Sequence, residues 1–292
     1  MIVNTLLALL IGIGLVFTVL ILRAAAARAQ LRPDLESIGL GAVTNFFDTL
    51  GIGSFATTTA YIKLRRLVPD SFIPATLNVG HALPTVVQAL IFIKLVQVDP
   101  RLLAACIVSA VAGSLVGAPI VQRTPVRVVQ GFVGVALLIA AALFAAKNLD
   151  VGPAGGDALA LSGVWFVFAV VAHFVLGVLM MFGIGLYAPS LATLSLLGLN
   201  PAAAFPIMMG ACAFLMPVSA LGFVRSARID LRVILGIAIG GIPAVLLAAY
   251  VVKSLPLVWL RWGVVVVVLY AAIMLLRTAL RPAAVAQPVA SV

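Results

Sequence analysis

Apolar residues run through this chain in unbroken stretches of about 20 residues, parted by short polar segments, and no stretch alternates apolar with polar positions. Membrane strands alternate over about ten residues, so helices must satisfy this backbone. The pattern predicts an all-α polytopic membrane protein. A first apolar run ends near Leu22 and is followed by Arg23, Arg28 and Arg32, as in an anchor helix with a basic cytoplasmic flank and not a cleaved signal peptide. Plain spans are expected near 72–95, 101–121, 127–146, 202–224, 232–252 and 257–276. Two other stretches, 37–64 and 158–199, are each interrupted by Gly-Ile-Gly, at Gly51-Ile52-Gly53 and Gly183-Ile184-Gly185.

A shift of 132 residues superposes the two Gly-Ile-Gly elements and lays Ala56 on Ala188, Ala60 on Ala192, Pro69 on Pro201 and Pro74 on Pro206. A shift of 131 then lays Asp99, Arg101 and Pro125 on Asp230, Arg232 and Pro256. The chain therefore divides into an N-terminal helix with its basic loop (1–36), a first repeat (37–146), a linker (147–157), a second repeat (158–281) and a tail (282–292).

Charge decides how the broken stretches are threaded. If each crosses once, the 18 lysines and arginines divide 11 to 7 between the two sides. If each turns back at its Gly-Ile-Gly, they divide 13 to 5, and the Lys63, Arg65 and Arg66 group joins Arg23, Arg28 and Arg32. The second threading leaves three crossings between equivalent points, so the halves have opposite orientation. The expected architecture is two inverted-topology repeats, with about seven crossing helices and two re-entrant hairpins. Many secondary transporters are built this way.

Composition agrees and excludes other classes. The chain has 292 residues, 64 % hydrophobic and 9 % charged, with a mean hydropathy of +1.30, far from a soluble domain. The net charge of +10 is scattered over short loops with no basic stripe, so no nucleic-acid partner is implied. Cys106 and Cys212 lie in apolar runs without partners at ligand spacing, so they read as packing residues, and neither a metal site nor a cofactor is expected.

Chemistry concentrates at the breaks. Non-helical backbone at membrane depth is tolerated where protein buries it or water borders it. Behind each break a new half-helix begins, near Ser54 and near Tyr187, and its free N–H groups attract anions. Candidate substrate contacts are Asn45, Thr49, Gly51, Gly53, Ser54, Thr57, Asn78, Gly183, Gly185, Tyr187 and Ser190. Serine and threonine also cap broken helices locally, which is the plainer reading of several of these. Asn78, His81, Thr85 and Gln88 fall within about 80° on one helix face, a polar stripe facing the interior. Asp48, the one acid deep in an apolar stretch, and His81 are the proton-coupling candidates; a local cap and a packing histidine are the alternatives. His173 reads as structural. Gly113 to Gly117 forms a Gly-x-x-x-Gly element suited to packing within the chain, and a homodimer stays open.

Residues 39–60, Gly-Leu-Gly-Ala-Val-Thr-Asn-Phe-Phe-Asp-Thr-Leu-Gly-Ile-Gly-Ser-Phe-Ala-Thr-Thr-Thr-Ala, resemble the glycine-rich opening of the sulfite exporter TauE/SafE family. The second copy, Phe182-Gly-Ile-Gly-Leu-Tyr-Ala-Pro-Ser-Leu-Ala-Thr-Leu, resembles it more closely. The likeness runs over residues 37–280 and departs from the commonest pattern at Asn45-Phe-Phe-Asp48. It implies a permease, not an enzyme, in a bacterial-type plasma membrane, with N-terminus outside and C-terminus cytoplasmic. Its cargo would be a small sulfur-containing anion such as sulfite or a C2 organosulfonate. Alternatives are a different cargo, a metal cation or neutral metabolite; an intramembrane serine hydrolase using Ser54 with His81 or His173; and an assembly subunit without cargo.

Overall fold

The computed structural model describes residues 1–51, 53–69, 72–120, 156–181, 183–225, 229–254 and 257–280, with isolated positions between 131 and 149. Most of the linker 147–157, the tail 282–292, and Pro125 and Pro256 lie outside the described residues. Eleven helices occur among them: α1 (Ile2–Ala27), α2 (Leu35–Thr49), α3 (Ser54–Arg65), α4 (Ile73–Gly80), α5 (Ala82–Leu95), α6 (Pro100–Ile120), α7 (Gly163–Met181), α8 (Tyr187–Leu196), α9 (Pro201–Arg225), α10 (Leu231–Ser254) and α11 (Leu257–Leu280). Among the described residues there is no strand, and one isolated bridge pairs Ala158 with Leu199.

Among the described residues, six stretches are long and apolar enough to cross a membrane: Ile2–Ala27, Ile73–Leu95, Pro100–Gly117, Gly163–Met181, Pro201–Val224 and Leu231–Val251. This is the make-up of a multi-pass membrane protein. The first leg of the second broken stretch, α7, is thus itself of spanning length, whereas α2 has 15 residues.

Local chemistry sets the breaks. Asp34 caps α2, accepting from the Ser37 backbone N–H at 2.8 Å and its hydroxyl at 2.7 Å. α2 ends where Gly51 and Gly53 take φ of +94° and +85°, left-handed values that glycine adopts without a Cβ clash. Gly183, at φ +76°, does the same behind α7. The join of α4 and α5 at His81 has another cause: Pro84 has no N–H to offer the Gly80 carbonyl four residues back.

Packing puts the long helices in pairs. α2 lies along α10, and α6 lies along α7. Both seams are glycine-lined: a Cβ on Gly41 would collide with the Ile237 backbone, and one on Gly240 with the Ile38 carbonyl. Across the other seam, a Cβ on Gly113 would strike Phe174 and one on Gly177 would strike Ala110. The Gly113 and Gly117 element therefore packs within the chain. α5 and α9 cross at the centre, and α9 buries nearly all of its circumference over Ala203–Met216. α1 attaches to this core through Leu6, Leu10, Gly14, Phe17, Ile21 and Ala25, one stripe at helical spacing.

The two ends of each broken stretch are joined by hydrogen bonds. Glu36 at the head of α2 meets Arg65 and Tyr61 at the end of α3, both at 2.8 Å. At the opposite end of α9, the Asn200 N–H donates to the Ala158 carbonyl at 2.8 Å, joining the approach to α7 with the exit from α8.

Candidate functional site

The two returning stretches bring their turns together inside the helix bundle. Asp48 from the end of α2 is 3 % exposed, and Ser54, the first residue of α3, stands with it on the wall of one cavity. An acid beside a helix start is favourable for charge.

Gln88, on α5, ties this turn to the other. Its Nε2 donates to Asp48 Oδ2 and to Thr49 Oγ1, each at 2.9 Å. Its Oε1 accepts from the Tyr187 hydroxyl at the start of α8. One fully buried amide thus touches both turns, and each of its polar atoms is used. Thr49 passes its own proton to the Asn45 carbonyl at 2.7 Å.

A second group sits one turn away along the first stretch. Asn45 Nδ2 donates to the Gly41 carbonyl at 2.7 Å, which orients the amide so that Asn45 Oδ1, 3.0 Å from His81 Nδ1, can only accept from that ring. Thr58 Oγ1 stands 2.9 Å from His81 Nε2. His81 is fully buried and joins α2, α3 and the α4–α5 join.

Between the turns lies a cavity of about 20 Å³ lined by Asp48, Gly53, Ser54, Phe55, Thr85, Met180, Gly185, Leu186, Tyr187, Cys212 and Met216. That is room for about one water. The walls come from both broken stretches, with α5 and α9 closing the sides.

The sequence candidates separate accordingly. Asp48, Gly53, Ser54, Gly185 and Tyr187 line the cavity, and Asn45, Thr49 and His81 support its walls through hydrogen bonds. Gly51 and Gly183 shape the turns through their left-handed backbone. Thr57 bonds locally to the Ser54 carbonyl at 2.9 Å and is not on the cavity wall. Asn78 donates to the Pro74 carbonyl, leaving its buried Oδ1 without a partner, also away from the wall. Ser190 is taken up by His173, whose Nε2 is 2.9 Å away and whose Nδ1 donates to the Ala169 carbonyl at 2.8 Å. His173 is therefore the brace between α7 and α8. His81 Nε2 and His173 Nε2 face Thr58 and Ser190, so neither ring is paired with Ser54 as a hydrolase would need.

Sequence reasoning passed over the sulfur atoms. Cys212 and Met216, four residues apart on α9, face the cavity with Met180, and the Cys212 thiol lies 3.7 Å from Met180 Sδ. Helical spacing was the signal for the first two; nothing local points from them to Met180. Among the described residues, no three His, Cys, Asp or Glu side chains gather as a hard-metal site would need. At the outer rim of the first stretch, Arg65 and then Tyr61 hold the Glu36 carboxyl below its usual range by hydrogen bonding.

No family model, curated protein or solved structure matches the chain.

Proposed function

We propose that this chain is a secondary transporter, acting as an exporter, for small sulfur-containing anions such as sulfite or C2 organosulfonates, as the resemblance to the TauE/SafE family implies. The observation that carries the reading is the buried cavity walled by two broken-helix turns, each aimed inward by left-handed glycines. A bundle with no cargo has no use for unwound backbone at depth.

The proposed architecture is two inverted repeats with re-entrant hairpins, and the seams support it. Under the 131- and 132-residue shifts, the contact of Gly240 with the Ile38 carbonyl corresponds to the bond from the Ser109 hydroxyl to the Val170 carbonyl. The approach of Gly241 to Asn45 corresponds to that of Gly177 to Ala110. Each hairpin also closes at its own end of the bundle, through Glu36 with Arg65 in one half and Ala158 with Asn200 in the other. Two such halves can rock against each other around a fixed centre.

In this mechanism the cavity, with room for about one water, is the closed state, and the turns part to admit cargo. The entering anion takes the place of Asp48 beside the start of α3. A carboxylate displaced into an apolar interior is costly, so Asp48 takes a proton as it leaves. No lysine or arginine is among the described residues that line the cavity, so amide dipoles and hydroxyls hold the cargo loosely enough for release.

The test is flux of sulfite and sulfoacetate into liposomes holding the purified protein, with and without a pH gradient. Wild type should carry one of them, driven by the gradient. Asp48→Asn should lose the gradient dependence, and Ser54→Ala should slow flux about fivefold through the loss of one hydroxyl contact to cargo worth about 1 kcal/mol. Absence of flux for both anions in wild type overturns the substrate class.

A further inference from the structure

We infer that Cys212, Met180 and Met216 form a binding site for a soft monovalent cation of the Cu(I) or Ag(I) type, set in the wall of the central cavity. The inference stands apart from the sulfur-anion reading, since it concerns binding by side chains and not transport.

Three sulfur-bearing residues from two helices line one small cavity: Met180 at the end of α7, and Cys212 and Met216 one turn apart on α9. The Cys212 thiol donates to Met180 Sδ across 3.7 Å. Two sulfurs held at about 2.3 Å from one tetrahedral ion stand about 3.8 Å apart. The pair is thus at coordination spacing before any ion arrives, with the thiol proton in the place the ion would take. Met216 supplies a third donor, and thiolate with thioether is the ligand set that selects Cu(I) over harder divalent ions.

Charge points the same way. Asp48 lines the same cavity, and its hydrogen-bond partner Gln88 is neutral. A single positive charge suits a pocket with one buried carboxylate and no cation among its described lining residues. On binding, the S–H bond of Cys212 breaks, an S–metal bond forms, and the proton passes to the Asp48 carboxylate; no electron is transferred. Binding would tie α7 to α9 and so hold the cavity closed.

The experiment uses full-length protein in detergent, free of any affinity tag, under anaerobic conditions, with Cu(I) buffered by bicinchoninate. Wild type should withdraw one equivalent of Cu(I), and Cys106→Ser should do the same, as the only other cysteine in the chain is not on the wall of this cavity. Cys212→Ser should weaken capture at least tenfold. The double variant Met180→Leu with Met216→Leu conserves volume and should also weaken it about tenfold, which keeps the test decisive if Cys212→Ser folds poorly. Zn(II) at the same concentration should not be retained. Capture unchanged in the double methionine variant, or lost in Cys106→Ser, overturns the site. Sulfite flux in liposomes of the same preparations reports separately on the transport reading.

Discussion

The Tyr187 hydroxyl donates to Gln88 Oε1, while Gln88 Nε2 donates to Asp48, so a single amide on α5 spans the distance between two turns about 140 residues apart in sequence. Thr85, one turn earlier on the same helix, also approaches Tyr187. α5, through Gln88, is therefore the element at which the state of one turn is felt by the other.

Gln88→Ala should be the most damaging single change in the cluster. It removes a donor to the buried Asp48 carboxylate and the acceptor of a buried phenol. The expected cost is about 2–3 kcal/mol, read as a lowered denaturation midpoint in mixed micelles. An unchanged midpoint would mean that water replaces the amide.

Tyr187→Phe is a narrower probe. Phe55 stands at the corresponding place in the first half, so the ring is tolerated there and only the hydroxyl is lost. The denaturation midpoint should move by about 1 kcal/mol or less, while sulfite flux should fall about tenfold. Equal flux in both proteins would remove Tyr187 from the pathway.

The glycine seams predict a contrast. Gly240→Val forces a branched side chain into the Ile38 carbonyl and should prevent recovery of monodisperse protein, or lower its thermal midpoint by about 10 °C. Gly12→Val, at a position with open space around it, should behave as wild type in the same size-exclusion and melting assays.

The rim pair gives a pH dependence whose sign is fixed. Arg65 and Tyr61 favour the ionised form of Glu36 in the folded state, so its contribution is present above the unfolded carboxyl range and is lost as pH falls through the lowered folded value. The pair is solvent-exposed, so the effect is small. Glu36→Gln should melt about 2 °C or less below wild type at pH 7, with the gap closing as pH falls below the usual carboxyl range. A gap that widens on acidification would contradict the assignment.

Much of this was legible in the sequence because it follows from period and punctuation. The spans from Ile2, Ile73, Pro100, Pro201 and Leu231 announce themselves by length and apolarity, and the breaks at Gly51 and Gly183 by paired glycines. The stripe from Asn78 to Gln88 is buried throughout, as its helical spacing requires. Partners were not legible. That Asp48 is held by Gln88, that Ser190 belongs to His173, and that Cys212 meets Met180 all depend on how separate helices pack. No period in one segment encodes a neighbour from another.

The α2–α10 seam has a consequence for synthesis. Gly41 and Ile237 are nearly 200 residues apart in the chain, and at 5–20 residues per second the second is made about 10–40 s after the first. The α6–α7 seam, closing over about 60 residues, is complete in about a third of that time. The central seam therefore has the chance to form first, and α2, with Asn45 and Asp48 on it, waits for α10. A ribosome stalled before residue 231 would leave that helix without its principal neighbour, which makes α10 the segment whose arrival seats α2.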